Sequence, residues 1–293
     1  MAADRVLATA ALRSSLSVAL IAAALPAGAG SLPVHGLWVW NSTQVLQAPQ
    51  GAPALRDFCQ SAGINEVYVS VSRDYSALEE LRLTQLIALL HQIDIRVDAL
   101  IYSVDGDEVG APRTALLDRV QSILNFDHHH PAQHFDGIHL AIEPQRRPEY
   151  ESATNNQFLP ALVVTYRAVR ARTDRAALSL GADIPSKVLA ADVDERRALL
   201  SAVPRLTLLM DAGTIQRGAA TPGQRLEQLR RRSRRYLQMA YRGVDEPHAA
   251  GMLIALRAQD HEAQLPPLLA ALDDANRSDP HYLGWARSYD AAP

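Results

Sequence analysis

The chain has one cysteine, Cys59, in 293 residues, so no internal disulfide can form and the core must be held by packing. A dominant charge is missing too. With 29 Lys plus Arg against 32 Asp plus Glu, the net charge of -3 gives no general reason to expect nucleic acid as a partner. No internal repeat, low-complexity tract, P-loop or Gly-x-Ser-x-Gly elbow is present, which leaves a nucleotide or acyl-transfer enzyme without a motif. Aromatic residues make up only 5%, so their placement matters more than their number. What the chain does have is an ordinary globular composition, 48% hydrophobic, which disfavours a disordered chain, a collagen-like chain and a disulfide scaffold.

The N-terminal stretch stands apart from the rest. Arg5 and Arg13 precede an apolar run from Leu16 to Leu25, and Ala27-Gly28-Ala29 follows with small residues suited to cleavage. This order is that of a secretory signal peptide over residues 1–29, and the run falls short of the ~20 residues that a membrane span needs. A retained N-terminal anchor is the alternative. The expectation is a periplasmic or secreted protein that begins near Gly30, with no stable membrane span after cleavage. Cys59, in LRDFCQSAG, reads as an inert thiol on a helix face.

Residues 30–293 repeat one rhythm, in which a short β-branched or aromatic run is followed by a polar loop and a helix-period segment. The expected strands are 36–40, 66–71, 96–104, 135–143, 177–184, 205–211, 251–257 and 281–289. Helices are expected near 53–62, 76–91, 112–125, 156–172, 186–201, 222–241 and 261–274. Eight strand-helix units over ~260 residues suit a single-domain α/β fold, the (β/α)8 TIM barrel, with the final helix missing. An open doubly wound sheet is the competing architecture, but no glycine-rich phosphate loop follows the first strand.

Barrel strands point every second residue inward. In FDGIHLAIE, Ile138, Leu140 and Ile142 are then expected to face the helices, and His139, Ala141 and Glu143 the barrel. In the next two strands Ser179, Gly181 and Asp183 share one face, as do Thr207, Leu209 and Asp211. Acids therefore gather at carboxyl-terminal strand ends, the face where barrel enzymes keep their chemistry. Glu143 stands out because it ends a strand, aims inward and precedes Pro144. A carboxylic acid there can protonate a leaving-group oxygen. The structural alternative is an ion pair with Arg146, Arg147 or Arg257.

HFDGIHLAIEP resembles the fourth-strand signature of family 18 glycoside hydrolases, DGxDxDxE, with Asp136-Gly137 at its opening and Glu143 at its catalytic acid. The resemblance implies a sugar-cleaving barrel with Glu143 as general acid. It also implies that a last-strand Trp, here Trp285, floors the sugar site. In the family the Asp two residues before the acid orients the substrate acetamido group, and this chain has Ala141 there and His139 at the preceding Asp position. Substrate-assisted hydrolysis needs that carboxylate, so a second acid must act or the barrel binds glycans without cutting them. Asp183 and Asp211 are the candidate partners.

Trp40, Tyr102 and Trp285 are expected to wall a ligand site, because indole and phenol rings stack on the apolar faces of sugars; Trp38 is equally suited to core packing. Arg73 and Arg257, after the second and seventh strands, either hold substrate or neutralise the acids. Asp105, after the third strand, and His139 complete the substrate-binding set. His128, His129, His130 and His134 suggest a metal, but they precede the fourth strand and so fall at the end of the barrel opposite the expected site. The basic run 225–242 reads as an amphipathic helix with a solvated arginine face, or as a site for an acidic polysaccharide or anionic lipid. The expectation is a glycoside hydrolase acting on a polysaccharide or oligosaccharide without metal or organic cofactor. A catalytically silent glycan-binding barrel of the cell envelope or biofilm matrix is the main rival, and a metal-dependent hydrolase or deacetylase the third possibility.

Overall fold

The computed structural model describes residues 32–72, 75–103, 113–143, 158–211, 221–245, 249–257 and 265–289, without the side chains of Asp211 and Arg257. The order is β1 (Val34–Val39), α1 (Ser42–Gln47), α2 (Gly51–Ala62), β2 (Glu66–Ser70), α3 (Ala77–His91), β3 (Arg96–Ser103), α4 (Arg113–His129) and β4 (Gly137–Ile142). It continues with α5 (Leu159–Thr173), β5 (Ser179–Pro185), α6 (Val193–Ala202), β6 (Arg205–Asp211), α7 (Pro222–Tyr241), β7 (Gly251–Arg257), α8 (Leu265–Asn276) and β8 (Tyr282–Ser288). Every strand pairs in parallel with its sequence neighbours, and β8 returns to β1 with Gly36 beside Ala286 and Trp38 beside Ser288. That last pairing leaves no edge strand, so the architecture is the (β/α)8 barrel and not the open sheet.

Local chemistry sets the helix ends. Capping boxes open three helices, through Ser76 and Glu79 in α3, Asp192 and Glu195 in α6, and Thr221 and Gln224 in α7. The αL residue Gly63 closes α2. Two expectations are corrected. The segment expected as one helix over 186–201 is a 3-10 turn, Ser186–Ala190, followed by α6, because Asp192 starts a new cap. The short helix α1 was not expected; it is held by Ser42, which bonds Ser70 through both its backbone N–H and its hydroxyl. The expected absence of a final helix falls on residues 290–293, outside the described residues.

The core has two layers, as strand parity requires. Ile138, Leu140 and Ile142 of β4 pack outward with the helices. Trp38, Tyr68, Leu100, Ala141, Leu253, Ala255 and Ala286 fill the barrel itself. Cys59 is fully buried on α2, and burial pushes its thiol pKa up to about 12, so it is not a nucleophile at neutral pH.

Candidate functional site

The amino-terminal end of the barrel is closed by charge. Arg205, the first residue of β6, donates to both carboxylate oxygens of Glu66 at 2.7 and 2.6 Å. Arg96 bonds Asp98 at 2.9 Å. The Glu66 and Asp98 side chains are 3% and 0% exposed, and such buried charges persist only when paired. A ligand therefore has the carboxyl-terminal mouth as its entrance to the barrel.

At that mouth β1, β3 and β8 converge. Trp40, just after β1, donates its indole N–H to the hydroxyl of Ser288 at 3.3 Å and meets the Tyr102 ring edge-on at 6.0 Å. Ser70, at the end of β2, donates to the Trp40 carbonyl at 2.7 Å. Tyr102 is 39% exposed, an open aromatic face on β3, and its carbonyl accepts from Arg119 of α4. Register places Tyr102 beside Ala141 of β4, and Glu143 follows two residues on with inward parity and 8% exposure. The mouth thus combines one largely buried carboxyl group with an aromatic wall.

Below the mouth the apolar filling of the barrel encloses a polar pair. Asp183 of β5 accepts a hydrogen bond from Nε2 of His139 at 2.7 Å, both side chains being almost fully buried. The imidazole lies 4.2 Å from the Tyr68 ring and fits against Gly181, where a Cβ would sit 2.6 Å from Nδ1. By register Ala141 is one residue past the Leu140–Ala182 pair and so lies level with Asp183. Burial and the neighbouring Glu66 and Asp98 carboxylates push the Tyr68 hydroxyl pKa well up, so Tyr68 remains a neutral phenol.

Glu143, Trp40, Tyr102, His139 and Asp183 therefore all occupy the inner face, with His139 one layer below Ala141 and Asp183. Asp211 and Arg257 are register partners at the ends of β6 and β7, although their side chains lie outside the described atoms. Arg73 and Asp105 lie outside the described residues. Trp285 is a correction. It faces away from the barrel, stacked at 4.2 Å on His35, with its indole N–H bonded to Asp273 of α8. In β8 the residues beside the inward ones of β1 are Gly284, Ala286 and Ser288, so Trp285 has outward parity. Ser288 and Ser70 are mouth residues that the sequence did not single out. Their parity was readable, but a serine at a strand end carries no chemical signal of its own.

Of the histidine run, His128, His129 and His134 are exposed, while His130 is partly buried. His130 pairs with Glu80 at 2.8 Å, and His134 bonds the Phe135 carbonyl. Among the described residues, no three His, Cys, Asp or Glu side chains gather in a group able to hold a metal ion.

No protein-family model and no curated protein matches the chain. Solved structures do. The exo-β-1,4-mannosidase Op5Man5 from Opitutaceae bacterium strain TAV5 is 15% identical with a TM-score of 0.59, over 87% of this chain and 51% of that one; the chain spans about half the mannosidase's length. The glycoside hydrolase domain of PgaB (BpsB) from Bordetella bronchiseptica is 12% identical with a TM-score of 0.50, over 89% and 94% of the two chains. An endo-β-N-acetylglucosaminidase from Cordyceps militaris is 10% identical at the same TM-score, over 88% and 82%. At these identities the likeness establishes a shared barrel fold with glycoside hydrolases, and the chemistry must be argued from the site.

Proposed function

We propose that the chain is an exported glycoside hydrolase-like barrel acting on a polysaccharide or oligosaccharide, with Glu143 as the general acid. The observation that carries the proposal is Glu143 itself, a largely buried carboxyl group of inward parity just past β4, two residues beyond the Ala141 that pairs with Tyr102 of the aromatic wall. In this reading Glu143 gives its proton to the glycosidic oxygen as the C–O bond breaks, and a second carboxylate stabilises or activates what attacks the anomeric carbon. Asp211 suits that second role better than Asp183, because it ends β6 at the mouth whereas Asp183 is buried and bonded to His139. Trp40 and Tyr102 stack on sugar faces, Arg257, Arg73 and Asp105 contact substrate, and no cofactor is required. Residues 1–29 act as the signal peptide, which N-terminal sequencing of the exported protein would test.

The test is hydrolysis of a panel of bacterial exopolysaccharides and chitin-like oligomers by wild type and by Glu143→Gln, which keeps shape and removes the acid. A loss of about 10²–10⁴ in turnover with retained binding is expected for the variant. Absence of turnover in both proteins, with binding unchanged, would favour the second reading, a silent glycan-binding barrel. That reading is motivated by Ala141, which stands where the resembling family has an acid.

A further inference from the structure

We infer that the outer face of α7 is a docking surface for an acidic polysaccharide, separate from the barrel mouth. The helix carries six arginines and a single acid, Glu227, in a chain whose net charge is -3. Arg231, Arg234 and Arg235 are exposed, and so is Arg242 just past the helix end. At 1.5 Å per residue this ridge runs about 16 Å along one side. Glu227, one turn before Arg231, and Asp245, three residues past Arg242, are exposed and form no ion pair with the ridge among the described residues. Among the described residues, Arg231, Arg235 and Arg242 have no carboxylate within ion-pair distance, and Arg234 donates its Nε–H to the Ala275 carbonyl.

The acids on the flanking helices are already engaged. Asp273 of α8 accepts from His35, Tyr282 and Trp285, and Asp274 pairs with Arg277. Asp192 and Glu195 cap α6, while Asp194 pairs with Arg197. A row of guanidinium groups with no ion-paired carboxylate among the described residues raises a local positive potential that attracts an external anion, and a row suits a polymer better than a single ion.

The structure also narrows the polymer. An interfacial helix enters a bilayer through its apolar face, but in α7 that face is spent on the barrel: Leu229 and Leu237 are 0% and 1% exposed. The one aromatic on the ridge side, Tyr236, is half-buried beneath Arg232, so no platform for stacking nucleobases is offered. The choice of a carbohydrate over a nucleic acid rests further on the glycan reading above.

The test is binding without turnover, which keeps its failure distinct from that of the hydrolase proposal. Full-length protein is titrated at low ionic strength with polygalacturonate, with neutral dextran, with phosphatidylglycerol-containing vesicles and with duplex DNA. Polygalacturonate is expected to bind with a strong salt dependence and dextran not to bind through this face. The double variant Arg231→Gln/Arg235→Gln, whose residues have no hydrogen-bond or ion-pair partner among the described residues, should weaken binding about thirtyfold at low salt. The double Lys variant should retain it, and melting temperatures of both variants should match wild type. No polygalacturonate binding by wild type, equal binding by the Gln variant, or tighter binding to DNA or vesicles would each overturn the proposal. Loss of hydrolysis in Glu143→Gln with this binding intact would leave it standing.

Discussion

At Gly284 the backbone of β8 has φ 143°, and an added Cβ would lie 1.9 Å from the Val34 carbonyl oxygen. The crowding atom is backbone, so no side-chain rotation can relieve it. The pairing register of β7 with β8 shifts at this point, with Leu283 turned towards the barrel interior and Trp285 outward. Gly284→Ala is therefore expected to destabilise the fold by about 3 kcal/mol, combining a disfavoured φ with overpacking. A urea midpoint unchanged from wild type would show that β8 relaxes without loss. Residue-scale legibility differed between strands for a physical reason. In β4 the large apolar residues all lie on one parity and the polar ones on the other, so Glu143 and His139 could be placed from sequence. In β8 both faces are buried, small residues lining the inside and amphipathic ones the outside, and hydrophobicity cannot choose between two buried faces. Trp285 was misplaced there.

Among the elements, α8 is fastened to two strands by one carboxylate. Asp273 accepts from His35 Nε2 at 3.0 Å, Tyr282 Oη at 2.8 Å and Trp285 Nε1 at 3.2 Å. The other His35 nitrogen faces the Gly63 carbonyl at 2.8 Å, so the ring satisfies both acceptors only when it carries both protons. Burial alone would lower the His35 pKa, but the bonds to Asp273 and Gly63 outweigh it and raise the value above 6.5. Burial alone would raise Asp273, but His35 and then Tyr282 hold it below 3.8. The signs define a window. The histidine's contribution is full below 6.5 and fades as pH rises through its raised folded value; the aspartate's is present above 3.8 and fades as pH falls through its lowered one. His35→Gln is expected to cost about 1 kcal/mol near pH 5.5 and distinctly less near pH 9, the pair being partly solvent-screened. Denaturant midpoints of both proteins across that range would check it, and a pH-independent difference would count against an ionic origin. Seven of the helices were legible at this scale from period and caps. Helix α1 was not, since its six residues are too few to form alone and depend on Ser70 from another strand.

On the scale of the whole molecule, the strand rhythm predicted the closed barrel, but not the charge network that seals its amino-terminal end. Glu66, Arg96 and Arg205 are each the first residue of a strand, a place where a charge ordinarily meets water; only closure of the sheet turns them towards one another. Once there, Glu66 faces Arg205 at 2.6 Å and Arg96 at 3.6 Å, and Asp98 faces Arg96 at 2.9 Å and Arg205 at 3.8 Å. Burial, and then the Glu66 charge, push the Asp98 pKa up, while the two arginines oppose that rise. Removing one cation leaves two buried carboxylates to share Arg96 alone, and Glu66 loses both of its close hydrogen bonds, so Arg205→Gln should cost about 3–5 kcal/mol. Glu66→Gln alone removes a repulsive neighbour of Asp98 as well as a partner of Arg205, and should cost less. The double variant Glu66→Gln/Arg205→Gln is then expected to be more stable than the sum of the single changes allows, with a coupling of about 1–3 kcal/mol in a double-mutant cycle. Strict additivity would mean that water reaches the network and screens it. Since the seal lies at the end of the barrel opposite Glu143, the double variant should also retain the glycan binding proposed for the mouth, which separates the residues that hold the barrel closed from those proposed to act on sugar.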